Sequence, residues 1–278
     1  LFTIGSAGGS NLEQGMMVGT SPSIATLSNG GRQIAFQANT GNLVTVGSAG
    51  GQNWSQGMMA GTSPSITALP GGGYQVAFQA NTGDLVSVGT AGGTNWHQGM
   101  MAGTSPSITT LSSGGYQIAF QANTGSLVTV GSAGGRNWSQ GMKSGTSPSI
   151  TGLSGNGYQM AFQANTGDLV TVGSAGGTNW KQGMMPGTSP SITTLTSGGY
   201  QMAFQANTGD LVTVGSAGGT NWKQGMKGGT SPSITSLADG GYQMAFQANT
   251  GDLITVGSAG GTNWKQGMRS GTSPSIGR

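Results

Sequence analysis

The sequence contains no cysteine and few charged side chains. Without cysteine, disulfide bonds and thiolate-metal sites are excluded. Charged residues make up only 5% of the chain, against about a quarter in ordinary soluble domains. The net charge of +3 comes from nine basic and six acidic residues. The basic residues are scattered or confined to a few late positions, so the sequence does not indicate nucleic-acid binding.

The sequence also lacks a membrane-spanning run and any recognisable catalytic motif. No stretch reaches the roughly 18 apolar residues that a transmembrane helix needs, and no phosphate-binding or dinucleotide fingerprint is present. The single histidine, His97, stands where other full copies of the repeat described below have Ser or Lys. Paired carboxylates for acid–base work are absent, since the repeated acids share one turn position: Asp84, Asp168, Asp210 and Asp252. We therefore predict no enzyme activity, no cofactor and no metal.

What the chain does contain is a near-identical repeat with a period of 42 residues. The hexapeptide Phe-Gln-Ala-Asn-Thr-Gly occurs six times and Ser-Pro-Ser-Ile seven times. A period of this length indicates one supersecondary unit copied along the chain. The copies of the hexapeptide begin at Phe36, Phe78, Phe120, Phe162, Phe204 and Phe246.

One copy of the repeat predicts four short strands without helical periodicity. In the second predicted strand Tyr74, Val76 and Phe78 alternate with Gln and Ala, so one face is strongly apolar and the other small or polar. Gly and Asn in the following turn suit positive φ. Strands are predicted at 63–69, 74–80 and 85–88, with turns at 70–73 and 81–84 and at most a short fourth strand at 95–100.

Four antiparallel strands in about 40 residues are typical of one blade of a β-propeller. The fold class is thus predicted to be all-β, a β-propeller of 42-residue four-stranded blades in a single domain spanning 1–278. Six full repeats cover about 20–269, and partial blades remain at 1–19 and 270–278. A ring closed by both chain ends favours seven blades, the closing blade being incomplete, with six blades as the alternative. Unpaired edges of that blade can instead pair between chains and make a homo-oligomer.

The candidate site lies on the fourth segment of each repeat, after a Gly-rich loop. Each copy has the pattern Asn-Trp-x-Gln, an aromatic body between two amides, which is a general recipe for a small-molecule site and fits the C–H face of a sugar. The N-terminal copy has Leu12 in place of Trp. The tryptophans are Trp54, Trp96, Trp138, Trp180, Trp222 and Trp264. The asparagines are Asn53, Asn95, Asn137, Asn179, Asn221 and Asn263. The glutamines are Gln56, Gln98, Gln140, Gln182, Gln224 and Gln266.

A purely structural interpretation of these positions remains open. The Trp can be the residue that packs one blade on the next. Two other repeated amides, the Gln that follows Phe in the hexapeptide and its turn Asn (Gln37 and Asn39 in the first copy), are alternative polar contributors. The structural explanation for the Gln is a hydrogen bond between blades, and that for the Asn is its preference for turns.

Residues 231–266 carry a resemblance to a known family. Ser-Pro-Ser-Ile, then Gly-Gly-Tyr-Gln-Met-Ala-Phe, Asn-Thr-Gly-Asp-Leu and Asn-Trp-Lys-Gln resemble the blades of tandem-repeat β-propeller lectins. The pattern is similar to the seven-bladed, fucose-binding lectins of the Photorhabdus and Psathyrella type, and to repeats of secreted actinobacterial proteins. The resemblance implies sugar sites between neighbouring blades, lined by Trp. The return strand departs from these lectins, because it reads Leu-Val-Thr-Val where they often place an aromatic residue after Leu.

Two functions follow as expectations. The first is a multivalent carbohydrate-binding protein, a lectin whose weak glycan sites lie at blade edges or between blades and act together. The second is a structural or protein-interaction propeller whose variable positions choose partners. The chain starts at Leu1 without Met, which indicates a processed or trimmed form, and a secreted, extracellular location is expected.

Overall fold

The computed structural model describes residues 1–5 and 8–277, which form β-strands joined by turns. Two short 3₁₀ helices, Pro70–Gly72 and Ser154–Asn156, lie in loops between first and second strands. Across the described ranges, none of the helices has the length and apolar character needed to traverse a lipid bilayer. Ser6, Ala7 and Arg278, which belong to the predicted partial blades, lie outside the described residues.

Six antiparallel four-stranded sheets follow one another along the chain, and each is one repeat. We number them blades I to VI; within each, the strands pair in sequence order. Blade I has β3 (Ser23–Thr26), β4 (Arg32–Gln37), β5 (Asn42–Gly47) and β6 (Gln52–Gly57). Blade II has β7 (Ser65–Ala68), β8 (Tyr74–Gln79), β9 (Asp84–Gly89) and β10 (Thr94–Gly99). Blade III has β11 (Ser107–Thr110), β12 (Tyr116–Gln121), β13 (Ser126–Gly131) and β14 (Arg136–Gly141).

The later blades repeat this plan, and a separate hairpin precedes blade I. Blade IV has β15 (Ser149–Gly152), β16 (Tyr158–Gln163), β17 (Asp168–Gly173) and β18 (Thr178–Gly183). Blade V has β19 (Ser191–Thr194), β20 (Tyr200–Gln205), β21 (Asp210–Gly215) and β22 (Thr220–Gly225). Blade VI has β23 (Ser233–Ser236), β24 (Tyr242–Gln247), β25 (Asp252–Gly257) and β26 (Thr262–Gly267). The N-terminal hairpin pairs β1 (Phe2–Thr3) with β2 (Ser10–Asn11).

Both faces of each second strand are buried, as the alternation in the sequence predicts. In blade II, Val76 and Phe78 pack against Trp54 and other residues of blade I. Ala77, on the opposite face, packs against blade III together with Leu85. The small Ala lets the next blade approach closely, and the six Phe side chains of this position are all fully buried. The hydrophobic core therefore consists of layers between blades.

The fourth strand is longer than predicted and contains a β-bulge. In blade II the pairing with the third strand shifts between Asn95 and Gly99. His97, within the bulge, has a positive φ of 50°. The Asn95 side-chain oxygen accepts a hydrogen bond of 2.8 Å from the His97 backbone N–H. The residue after Trp, or after Leu12 in the N-terminal copy, adopts this left-handed conformation in every copy, although its identity varies: Glu13, Ser55, His97, Ser139, Lys181, Lys223 and Lys265.

The expectation of seven blades is not supported, because six complete blades are present. The described chain ends lack a second strand, so their first and third strands have no common partner and form no four-stranded sheet. Instead, the segment 273–276 lies between the first strands of blades VI and I. The backbone N–H of Ser273 donates to the Ser21 hydroxyl at 2.9 Å, and that of Ile24 donates to the Ser275 hydroxyl at 3.1 Å. These bonds close the ring.

Where the two chain ends meet in the ring, the N-terminal hairpin packs against blade I. Leu1 and Leu12 pack against Ile34 and Phe36 of blade I. Leu12 thus occupies the place that Trp54 takes between blades I and II, as the repeat alignment predicts. The chain ends therefore occupy one position in the ring beside the six complete blades.

Replacing Lys181 by Gly is expected to raise the free energy of unfolding by about 0.5 to 1 kcal/mol. Lys181 is exposed with φ 52°, and a non-Gly residue pays about 1 to 2 kcal/mol there, partly offset by the greater unfolded-state entropy of Gly. Guanidinium denaturation measures the change. Thr178→Gly, at an exposed extended position of the same strand, is the control and should destabilise; equal destabilisation by both variants would contradict the strain argument.

Candidate binding cleft between blades

A cleft of about 380 Å³ opens between the outer strand of blade I and the face of blade II. Blade I contributes Gln56 and Gly57. The opposite wall combines a turn, the apolar floor of a third strand and the start of a fourth strand. These residues of blade II are Ala80, Asn81, Thr82, Val86, Val88, Gly93, Thr94 and Asn95. Two neighbouring repeats are therefore needed to form one cleft.

Close backbone contact sets the geometry of the cleft. The Asn81 N–H donates to the Gly57 carbonyl oxygen at 3.0 Å. A Cβ atom at Gly57 would lie 2.6 Å from the Asn81 side-chain nitrogen, so a larger residue there would displace this amide from the cleft wall. The same Gly–Asn contact recurs six times round the ring, at Gly15–Asn39, Gly57–Asn81, Gly99–Asn123, Gly141–Asn165, Gly183–Asn207 and Gly225–Asn249. The backbone contact beside the cleft is thus repeated at six junctions between neighbouring repeats.

The predicted glutamines are exposed, and their amides are free to bind a ligand. Gln56 forms the cleft rim, and its side chain has no hydrogen-bond partner within 1–5 and 8–277. The structure adds Gln14, next to the Gly15–Asn39 contact, which the sequence did not single out. Gln266 differs, because no described residue lies within 4 Å of the place that a Cβ atom would take at Gly267, and no complete blade follows it in the described part of the chain. Five of the six predicted glutamines therefore face a following blade.

The predicted asparagines mainly stabilise the bulge of the fourth strand. Asn95 uses its oxygen for the His97 backbone and donates from its side-chain nitrogen to Asp84 at 3.2 Å. The bond to the backbone two residues later occurs in all six copies. Asn95 still lines the cleft from blade II. It lies in the same cleft as Gln56 of the preceding repeat, whereas Gln98 of its own repeat precedes Gly99, which contacts Asn123 of the next repeat.

The tryptophans pack blades together. Trp54 is half-buried, and its indole N–H donates to the Thr45 hydroxyl at 3.1 Å. The ring packs against the cluster of blade II that includes Val86 and Val88, the apolar floor of the cleft. It does not itself line the cleft. The indole bond to a strand-three hydroxyl recurs in every copy.

The other two repeated amides have different roles. Gln79, in the second strand, is fully buried, and its side-chain nitrogen donates to the carbonyl oxygens of Met100 and Met101. It therefore fixes the connection to blade III and is not accessible to a ligand. The turn residue Asn81 does line the cleft. Sequence patterns explain it as a turn former, and nothing in them shows that the turn faces the preceding blade.

A second opening, of about 490 Å³, lies among the first strands at the ring axis. Half of its lining residues are threonines, including Thr67 and Thr110, whose hydroxyl oxygens are 2.9 Å apart. Several of these hydroxyls, such as those of Thr110 and Thr194, bond to another threonine or to a neighbouring backbone carbonyl. Among the described residues, no group of three or more His, Cys, Asp or Glu side chains could hold a metal ion.

Comparison with solved structures identifies the fold. The Aleuria aurantia lectin, described as a six-bladed β-propeller with a novel fucose recognition mode, matches with TM-score 0.65 and 13% identity over 93% of this chain and 98% of the lectin. SapL1 lectin, solved with α-methyl fucoside, matches with TM-score 0.64 and 11% identity over 90% and 96%. Virginiamycin B lyase from Staphylococcus aureus matches with TM-score 0.60 and 15% identity over 89% and 86%.

At these identities the likeness establishes the fold, an all-β propeller, and nothing finer. The match to a six-bladed lectin agrees with the six complete blades, so the seven-bladed detail of the resemblance is not supported. No protein-family model and no curated protein matches the sequence. The lyase shows that this fold can also carry an enzyme, so the fold alone does not decide the function.

Proposed function

We propose that this protein binds carbohydrate through repeated weak sites in the clefts between blades. The observation that carries the proposal is the free amide of Gln56, which faces the polar wall and the valine floor of blade II across one cleft. Amide and hydroxyl groups can satisfy the hydroxyls of a sugar ring, and an apolar floor suits its C–H face. The cleft volume of about 380 Å³ lies near the lower end of the usual range for small-molecule sites.

The predicted Trp and Asn residues act in this proposal mainly by holding the cleft. Trp54 supports the valine floor from the side of blade I. Asn95 contributes to the wall while keeping the bulge in place. Binding energy then comes chiefly from the exposed Gln and the turn residues Asn81 and Thr82. This division assigns the aromatic residues to framework stability and the amides to ligand contact.

Repetition turns weak sites into strong attachment. Shallow clefts with few polar groups bind one sugar weakly, but several copies on one ring can engage a glycan surface together and gain avidity of 10² to 10⁴-fold, typical of multivalent binding. Fucosides are the first ligands to test, because the Aleuria aurantia lectin recognises fucose and SapL1 was solved with α-methyl fucoside. The secreted location and the pairing of copies through the closing position remain predictions from the sequence.

The test removes the glutamine of every cleft at once. Replacing all six cleft glutamines by Ala should weaken binding of α-methyl fucoside or the best ligand of a glycan array at least tenfold, measured by calorimetry. The six are Gln14, Gln56, Gln98, Gln140, Gln182 and Gln224. Gln266→Ala is the matched control and should change nothing, because no complete blade follows it in the described part of the chain. Unaltered binding by the sixfold variant, or no binding by the unmodified protein, would refute the proposal.

The second candidate function is a structural or protein-interaction propeller. The observation favouring it is that the exposed bulge residue after Trp differs between blades, from Ser55 to His97 to Lys181. Variation at one exposed position, in blades of otherwise near-identical sequence, is expected of a surface that recognises one protein partner. A pull-down that recovers one specific protein, and that free sugar does not reverse, would favour this function over glycan binding.

A further inference from the structure

The junctions between blades differ in one residue, the first of the third strand. Blade II has Asp84 at this place, whereas blades I and III have Asn42 and Ser126. Asn95, which lines the cleft between blades I and II, donates to Asp84 at 3.2 Å. The same bond joins Asn to Asp in blades IV, V and VI, at Asn179–Asp168, Asn221–Asp210 and Asn263–Asp252. A carboxylate therefore holds the fourth-strand Asn in every complete blade except I and III.

In blades IV to VI the carboxylate also binds the turn threonine. The Thr166 hydroxyl donates to Asp168 at 3.2 Å, and the same carboxylate oxygen accepts from Asn179 at 3.2 Å. This double contact recurs in blades V and VI. Thr166 is the equivalent of Thr82, which lines the cleft between blades I and II. Two polar side chains of each such blade thus donate to a negative charge, which reduces what they can offer a ligand.

The junction between blades II and III has the same construction without the carboxylate. The Asn123 N–H donates to the Gly99 carbonyl oxygen at 3.0 Å, which is the backbone contact found beside the preceding cleft. Val128 and Val130 pack in one cluster with Trp96 of blade II. The third and fourth strands of blade III pair in the same register as those of blade II. We therefore infer an equivalent cleft at this junction and call it the II/III cleft.

The polar side chains of the II/III cleft are free to bind a ligand. The cleft is defined by Gln98 of blade II and by Asn123, Thr124, Ser126 and Asn137 of blade III. The side chains of Gln98, Asn123 and Thr124 are exposed and have no hydrogen-bond partner within 1–5 and 8–277. The Asn137 oxygen accepts the backbone bond of the bulge at 2.8 Å, but its side-chain nitrogen has no partner in those ranges. With Ser126 in place of Asp, these amide and hydroxyl donors remain available.

The charges around the II/III cleft favour an anion. Blade III contains two basic residues, Arg136 and Lys143, and no acidic residue. The guanidinium carbon of Arg136 lies 4.0 Å from the centre of the Trp138 ring, a cation–π contact that holds this charge on the fourth strand. The junction of the N-terminal hairpin with blade I also lacks the aspartate, but Glu13 occupies its bulge position. Among the six described Gly–Asn junctions, the II/III cleft alone has no acid at the bulge or at the start of the third strand.

Resting on the sugar binding proposed above, we propose that the II/III cleft prefers a sugar that carries a carboxylate, a hexuronic acid. An ionised carboxylate only accepts hydrogen bonds, and bonds to it are stronger than bonds to a neutral hydroxyl. The free donors of Gln98, Thr124 and Asn137 match this chemistry. In the clefts with an aspartate, the same ligand would meet a like charge at short range, which repels it. Ser126 therefore determines specificity, whereas a neutral sugar such as a fucoside can enter both kinds of cleft.

The test measures the binding of methyl glucuronide and methyl galacturonide, each compared with its neutral methyl glycoside, by calorimetry at neutral pH. At least one uronide should bind more tightly than its neutral counterpart. Ser126→Asp, which introduces the residue that blades II, IV, V and VI have at this place, should weaken binding of that uronide at least tenfold. Asp168→Ser should add a second uronide site between blades III and IV, which crystals soaked in the uronide locate.

Two control variants make the same changes of charge outside the clefts. Ser113→Asp and Asp239→Ser alter one equivalent, exposed position in the loops before β12 and β24. The first adds a negative charge to blade III, as Ser126→Asp does, and the second removes one, as Asp168→Ser does. Both should leave uronide binding unchanged, because the effect depends on a carboxylate at the cleft and not on net charge.

Three results would overturn the preference for an acidic sugar: uronides that bind no more tightly than the neutral glycosides, unchanged uronide binding by Ser126→Asp, or an equal loss with Ser113→Asp. Neutral sugars that still bind the clefts in these cases would leave the proposed function intact. If neither an acidic nor a neutral sugar binds, the sugar-binding function itself is wrong, and this preference is overturned with it.

Discussion

Replacing Gly173 by Ala is expected to lower the free energy of unfolding by about 3 to 5 kcal/mol. Gly173 ends the third strand of blade IV and pairs with Gln159. Its φ is 154°, and an added Cβ atom would lie 2.3 Å from the Tyr158 carbonyl oxygen. The clash is with backbone, so no side-chain rotation can relieve it. Guanidinium denaturation followed by circular dichroism measures the loss.

Two other glycines provide controls for this substitution. A Cβ atom added at Gly228 would have no neighbour within 4 Å, and Gly228 has no positive φ, so Gly228→Ala should change stability by less than about 0.5 kcal/mol. Gly176 has equal space but φ of 92°, so Gly176→Ala isolates the conformational strain at about 1 kcal/mol. Losses of the same size for Gly173→Ala and Gly176→Ala would show that the backbone contact has no role.

Replacing Leu169 by Ala is expected to cost about 3 kcal/mol, whereas the same change at Leu253 should cost about half as much or less. Leu169 is fully buried between blades IV and V, in a cluster with Met202 and Phe204. Leu253 holds the same place in blade VI but is only partly buried. Leu169→Ala therefore leaves a cavity in the core, whereas Leu253→Ala mainly changes a partly exposed surface.

The two leucine variants share residue type, strand position and turn, so they form a matched pair. Denaturation of both proteins under the same conditions gives the difference directly. Equal costs at the two positions would mean that Leu253 is as well covered as Leu169, which would contradict its partial burial.

The strand plan could be predicted from the sequence because local signals agree. Alternation at Tyr74, Val76 and Phe78 and the Gly-containing turns correctly predicted second and third strands. The fourth strand was predicted as short at most, because Gly and polar residues dominate it. The strand is in fact six residues long and contains a bulge, because the Asn95 side chain fixes the backbone of His97 by a local hydrogen bond. Such a bond depends on conformation, and periodicity does not reveal it.

The blade count could not be fixed in the same way. The sequence correctly shows six full repeats with first-strand residues at one end and third-strand residues at the other. Whether these ends complete a sheet depends on a second strand that would pair both, and the described ends have none. Ring closure instead uses serine side chains such as Ser21, which bond between neighbouring first strands.

The candidate site was predicted only in part because it joins two repeats. The pattern Asn-Trp-x-Gln places its residues side by side in sequence, but the bulge sends them to different surroundings. Trp54 turns inward to the next blade, while Gln56 stays exposed at the cleft rim. Thr82 and Thr94 reach the same cleft from the following repeat. The spacing of residues within one repeat does not show that Gln56 and the threonines of the following repeat line the same cleft.

The most direct test of the account is a crystal structure of the protein soaked in α-methyl fucoside or in the best array ligand. The account predicts sugar in the clefts at Gln14, Gln56 and their equivalents up to Gln224, with amide nitrogens within about 3 Å of sugar hydroxyls. It predicts none at Gln266, which no complete blade follows in the described part of the chain. Sugar bound only in the axial opening, or clefts that stay empty of sugar at saturating concentration, would contradict it.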